Sequence, residues 1–245
     1  MKITPYWTNE INASLENDIM SCFNKTFSQT KPSNYFQWKF RQNPFGESLH
    51  IVVTNKNKVI STRSFWRLDI NGIEAYQCVD TSVLPKYQGK GIFGKTTLLA
   101  LQILSNKLIY NHPNKFSGPT YLKYGWKTVK NSHSIKINFT TFMLGGAPVI
   151  DWNVKALRWR FQKNPEIIYY TMKKNEFYYI FSEKRKNLFV LLGKTKLKLY
   201  LNLIKPFICF SYDNCNNGLS FYPKLPYMTK GKIKYKLHSY LFDIS

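Results

Sequence analysis

Apolar residues at Leu15, Ile19, Cys22, Phe23 and Phe27 follow a helical spacing and predict a first helix over 15–27. Pro32 and Asn34 close that region. Phe36, Trp38 and Phe40 predict a second, short helix over 35–42, stopped by Asn43-Pro44-Phe45-Gly46. The pattern then changes to strands. Segments 49–54 and 59–66 are joined by a polar turn at 55–58, and 67–70 and 73–76 flank Asn71-Gly72, a strong hairpin dipeptide. A strand over 76–84 runs into Pro85 and a glycine-rich loop, and periodicity then predicts a helix over 95–104. A short strand at 108–110 comes next, then a closing pair at 126–129 and 134–139. This order predicts an α+β fold, a mixed and largely antiparallel sheet with helices on it.

The chain repeats itself. Trp38-Lys39-Phe40-Arg41-Gln42-Asn43-Pro44 recurs 121 residues later (38 to 159) as Trp159-Arg160-Phe161-Gln162-Lys163-Asn164-Pro165. Both copies lead into strands, the second into 167–172, 177–182 and 188–193. Duplication is the better reading, with a first domain over 1–147 and a smaller, degenerate copy over 148–245. Nothing after Gly193 resembles the glycine loop, and Asn214-Cys215-Asn216-Asn217-Gly218 reads as a plain turn.

Composition supports a packed core: 44% of the 245 residues are apolar and 17% aromatic, which argues against extensive disorder. The net charge of +23 would attract nucleic acid, an anionic membrane surface or phosphorylated small molecules. Lysine is abundant in every kind of segment, and the basic runs 184–198 and 224–236 spread the charge over both halves. That spread fits a solvated surface, with membrane proximity in the second half, better than a specific nucleic-acid face. Cys22, Cys78, Cys209 and Cys215 form no CxxC pair and have no His at ligand spacing, so no metal is expected. Reduced thiols and the lack of a signal-type run after Met1 point to a cytoplasmic protein.

The candidate chemistry lies at the loop. Gly89, Gly91 and Gly94 fall within six positions at a predicted helix start, with Lys86, Lys90 and Lys95 around them. Free N–H groups and the helix dipole would make this a phosphate cradle. A glycine-rich turn entering an ordinary core helix has the same signature.

Val83-Leu84-Pro85-Lys86-Tyr87-Gln88-Gly89-Lys90-Gly91-Ile92 resembles the acetyl-CoA motif of the GNAT N-acetyltransferase superfamily, with Phe93 where a small residue is usual. Asn114, Tyr121 and Gly125-Trp126 are similar to the family's later Asn…Tyr-x-x-x-Gly-Phe segment. Tyr35-Phe36-Gln37-Trp38-Lys39 with Asn43-Pro44-Phe45-Gly46 resembles the entry segment of longer bacterial members. The resemblance implies an α/β/α fold whose sheet splays open beside the strand carrying Ser82 and Val83. It implies acetyl-CoA as cosubstrate, its pyrophosphate on Gln88, Gly89, Lys90, Gly91, Ile92 and Phe93, and its arm beside Ser82, Val83 and Asn114. Tyr121 would give a proton to the departing thiolate. Asp80 and His112 are the candidate bases for the acceptor amine.

The function expected is therefore acetyl transfer to the primary amine of a small molecule. A nucleotide-linked amino sugar for surface polysaccharide would suit the positive field. The other reading is a non-catalytic basic protein, binding nucleic acid or an anionic membrane, that keeps the loop as a relic.

Overall fold

A computed structural model of the chain describes residues 1–70, 72–111, 113, 117–138, 147, 149–185, 188–203, 208–213 and 225–230. The chain forms two compact units, Met1–Val129 with Tyr227–Lys234, and Lys130–Pro226 with Tyr235–Ser245. The first unit thus ends earlier than residue 147 and takes back a segment from near the C-terminus.

In the first unit β1 (Lys2–Trp7), β2 (Leu49–Asn55), β3 (Lys58–Arg67) and β4 (Ala75–Val83) form antiparallel neighbours in that order. β5 (Leu108–Asn111) pairs parallel to β4, and β12 (Leu225–Lys230) pairs antiparallel to β5. β1 was not expected, because Pro5 interrupts its pattern. It lies at the sheet edge, where a proline is tolerated within a strand.

Helix α1 (Ala13–Phe27) begins where the Asn12 carboxamide oxygen accepts the Leu15 N–H at 2.9 Å, and ends at Ser28 in the left-handed region. Ile19, Cys22 and Phe23 are its buried residues, and the helix packs against β3 and β4. Helix α2 (Ile92–Ile103) makes the crossover between parallel β4 and β5, and α3 (Gly118–Lys123) comes after β5. Leu49, Ile51, Phe65, Tyr76 and Cys78 from the sheet form one core with Ala100, Leu104, Tyr121 and Trp126. Elements on both faces give the expected α/β/α layering.

The expected closing pair at 126–129 and 134–139 is instead one strand, β6 (Lys127–Asn138). The bridging Lys130-Asn131-Ser132-His133 holds neither Gly nor Pro, so nothing in it forces a turn.

In the second unit β6 pairs antiparallel with β11 (Ile208–Asp213), which runs parallel to β9 (Leu188–Thr195). β9, β8 (Phe177–Arg185) and β7 (Tyr169–Lys174) are antiparallel neighbours, and β10 (Asn202–Leu203) adds a parallel edge. A one-turn helix α4 (Val154–Leu157) is capped by Asn153. Among the described residues no helix is long and apolar enough to cross a membrane.

The repeated heptapeptide has the same local form in both units. Gln37–Arg41 and Arg158–Gln162 are π-helical turns, closed by Gln42 N–H to Gln37 O and by Lys163 N–H to Arg158 O. Trp38, Lys39 and Phe40 are buried in the first, and Trp159, Arg160 and Phe161 in the second. Asn43 and Asn164 each accept a backbone N–H from two residues on, Phe45 and Glu166 respectively.

Candidate active site

The glycine loop is open. Gly89 and Gly91 have φ of +74° and +72°, and a Cβ built on either would meet nothing within 4 Å. Glycine is needed here for backbone conformation, and the space above it is free. Gly91 is the N-cap of α2 and no side chain caps the helix, whereas Asn12 and Asn153 cap α1 and α4. The first α2 N–H to find a helical acceptor is that of Lys95, so those of Ile92, Phe93 and Gly94 remain for an anion. They face a cleft of about 430 Å³ whose lining includes Val83, Gln88, Gly89, Phe93, Lys123 and Tyr124.

Neighbouring side chains hold this shape. Gln88 folds back, its Nε2 donating to Val83 O at 3.0 Å, so only its backbone remains for a ligand at the loop. Ile92 turns into a core with Val53 and Ile60. Lys86 and Lys90 lie over the Tyr87 ring at 5.1 and 5.2 Å. The hydrogen bond from Asn55, helped by these two charges, draws the Tyr87 phenol below its usual value. Phe93, the residue that departs from the motif, packs its ring edge-to-face on Tyr121 at 5.6 Å, against the core beneath the loop. Gly94 compensates on the other side, since a Cβ there would overlap the Tyr124 hydroxyl.

The sheet opens beside the loop. β4 pairs with β5 only at Ala75, Tyr76 and Gln77, and then runs from Cys78 to Val83 with no strand on that side among the described residues. A bulge sets Asp80 and Thr81 opposite the single residue Arg63, with Asp80 at φ +47°. The strained backbone is held by its side chain. Asp80 accepts from Lys39 Nζ at 2.9 Å and from the Tyr35 hydroxyl at 3.1 and 3.2 Å. Lys39 in turn lies over the rings of Tyr35, Phe40 and Trp66. Asp80 is thus a paired carboxylate with a side chain 17% exposed.

Ser82 is buried, its hydroxyl shared with Thr62 at 2.8 Å and Cys22 at 3.6 Å under α1, so only its backbone can meet a ligand. Val83 lines the cleft. Lys90 is exposed at the loop tip. Tyr121 is buried behind Phe93, and its oxygen accepts from Arg63 Nη2 at 2.6 Å. Burial, together with the neighbouring Cys78 thiol, pushes its phenol well above the usual value. His112 and Asn114 lie outside the described residues. The site thus brings together the loop, Val83 and the splayed edge of β4, and sets Asp80 apart in a cluster of its own. Sequence reasoning missed Arg63, Lys39, Thr120 and Tyr124. Thr120 immediately precedes the Tyr-x-x-x-Gly segment and Tyr124 lies within it, and that position was their only signal.

Known structures share this architecture. A GCN5-related N-acetyltransferase from Kribbella flavida matches with a TM-score of 0.59 at 10% identity, over 93% of this chain and 70% of that one. One from Anabaena variabilis matches with 0.59 at 12%, over 92% and 72%. A protein of Enterococcus faecalis described as a probable N-acyltransferase matches with 0.54 at 14%, over 94% and 72%. No protein-family model matches the sequence, and no curated protein sequence does. The chain has the fold of the GCN5-related N-acetyltransferases. At these identities the likeness is one of fold.

Proposed function

We propose that the protein is an acetyl-CoA-dependent N-acetyltransferase acting on the primary amine of a small molecule. One conjunction carries the reading: an uncapped, glycine-opened start of α2 lies beside a β4 edge that, among the described residues, has no strand partner from Cys78 to Val83. The first suits a pyrophosphate, the second an amide-bearing chain that pairs like an added strand. From Val83 back to Cys78 the edge spans about 17 Å at roughly 3.3 Å per residue, the reach of an extended pantetheine arm.

In this reading the backbone of Gln88, Gly89, Lys90, Gly91, Ile92 and Phe93 holds the pyrophosphate, Ser82 and Val83 pair with the arm, and Asn114 supports it. Lys123 and Tyr124 complete the wall. Acetyl-CoA supplies an activated thioester carbonyl. Tyr121 provides the proton for the departing sulfur. Asp80 already accepts from Lys39 and Tyr35, so it suits orienting an ammonium group better than removing its proton. His112 is the base this leaves. The charge of +23 favours an acceptor that carries phosphate, such as a nucleotide-linked amino sugar. The matching π turns support a second reading of the chain's history, in which both units derive from one framework.

The test is thiol release from acetyl-CoA on mixing with free and nucleotide-linked amino sugars. The reading predicts acceptor-dependent release, reduced about 10²-fold or more by Tyr121→Phe with the acetyl-CoA KM little changed. Acceptor-independent silence across such a panel, with no acetyl-CoA binding, would leave the basic-binder alternative.

A further inference from the structure

Arg63 is the most anomalous residue in the first unit. It lies in β3 with no solvent exposure, and no carboxylate lies within ion-pair distance among the described residues. Nη1 donates to Thr97 Oγ1 at 2.7 Å, Nη2 donates to the Tyr121 oxygen at 2.6 Å, and Nε finds no partner among the described residues. The guanidinium carbon sits 4.3 Å from the Phe93 ring centroid, 5.2 Å from Phe65 and 5.4 Å from Tyr121. The Cys78 thiol completes the surroundings, its ionisation disfavoured by burial. Three ring faces and two hydroxyls do not neutralise a buried cation, which costs stability unless paired. Retaining it asks for an anion formed elsewhere in the working cycle.

The place where that anion would form is adjacent. The Tyr121 oxygen accepts from Arg63, and its own proton is directed at the Cys78 sulfur, to which it hydrogen-bonds. Cys78, beside both, is the first residue past the last β4–β5 rung, at the head of the splay. We infer that Arg63 is a positioning residue for Tyr121: it orients the phenol as a proton donor toward the head of the splay and balances the tyrosinate left after donation. The inference rests on the acetyltransferase reading. As the amine nitrogen bonds to the acyl carbon, the C–S bond breaks with its electron pair on sulfur. Tyr121 gives its proton to that sulfur. The tyrosinate, paired with Arg63, then regains a proton released by the acylated nitrogen through solvent.

The test needs no acceptor. CoA itself is titrated by calorimetry into wild type, Arg63→Met and Arg63→Lys. The ultraviolet absorbance of the bound thiolate is then followed against pH, as the difference between loaded and free protein. Groups from every packed element stay constant: Phe65 on β3, Cys78 on β4, Phe93 and Thr97 on α2, and Tyr121 on α3. Arg63→Met should bind CoA within about twofold of wild type and melt no lower, because an apolar residue replaces an unpaired charge. Its bound thiolate should titrate roughly one pH unit higher, with Arg63→Lys in between. An unchanged titration in a folded variant overturns the inference, as does a markedly lowered melting point of Arg63→Met, which marks a structural brace. Absence of CoA binding in wild type instead overturns the acetyltransferase reading.

Discussion

The two units contain the same entry device and differ in how their third strand ends. In each, a Trp-Lys/Arg-Phe segment forms a π turn, buries its three side chains and passes through an Asx turn into antiparallel strands. In the first unit the third of those strands, β4, bulges, loses its parallel neighbour after Gln77 and delivers the chain into an uncapped helix. In the second, β9 keeps β8 along its length, pairs with β11 only over Leu188–Leu191, and then meets Val149 in a single bridge at Lys194. The repeated segment builds a frame. Both third strands lose their parallel neighbour part-way, and among the described residues only β4 leads through a glycine loop into a free helix start.

The comparison can be broken most strongly at the frame. Trp38→Ala and Trp159→Ala each remove a buried indole and should each cost about 3–5 kcal/mol. Chemical denaturation monitored by hydrogen exchange should show protection falling mainly in the unit carrying the substitution. Equal loss in both units from either change would merge them into one cooperative body.

Next in size is the Lys39–Asp80 pair, which joins the first unit's π turn to the bulge on its open strand. Lys39→Met strands a half-buried carboxylate on a strained backbone and should destabilise by roughly 2–3 kcal/mol. Asp80→Asn should cost less, since the carboxamide oxygen can still accept from both Lys39 and Tyr35. Thermal melts of the two variants rank them, and a reversed order removes Asp80 as the support of the bulge.

A third effect depends on pH. His50 is buried between Phe36 and Phe40 and hydrogen-bonded to Thr8 and Ser64. Burial first, then the Arg41 and Lys39 charges, lowers its pKa to about 3. The unfolded chain therefore binds the extra proton between about pH 6.5 and about pH 3 while the folded chain does not. Stability should fall on acidification by about 1.4 kcal/mol per pH unit across that window. Denaturant midpoints of wild type and His50→Gln should converge as pH drops, and parallel curves would place the proton elsewhere.

The smallest expected effect sharpens the site itself. Gly94→Ala should lower stability by about 1–3 kcal/mol through overlap with the Tyr124 hydroxyl, and Tyr124→Phe should recover part of it. No recovery would put the strain in the loop backbone.

Much of the fold was legible in the sequence, and the failures have physical reasons. Apolar patterning finds α1, β2, β3 and β4, and the loop shows in its closely spaced glycines. It gives a helix at 35–42 but not its π form, since one extra residue per turn leaves no mark in composition. Pro5 hides β1, and the polar stretch inside β6 reads as a break. Arg63 was invisible for a stronger reason. In a strand buried on both faces, Ser61, Thr62, Arg63 and Ser64 carry no apolar signal of burial, and only the packing of α2 and α3 reveals a buried cation. Phe93, the residue that fits the motif least, needs no room in the cradle once its ring is seen to pack on Tyr121.

The central claim is one CoA site per chain, built on the loop of the first unit. Calorimetric titration of CoA into the full-length protein, alongside Gly91→Val, tests it most directly. The predicted result is one molecule bound per chain in wild type and at least a roughly 10²-fold loss of affinity in the variant, whose fold is checked by its melt. Undiminished binding in a folded Gly91→Val protein, or two molecules per chain in wild type, would contradict it.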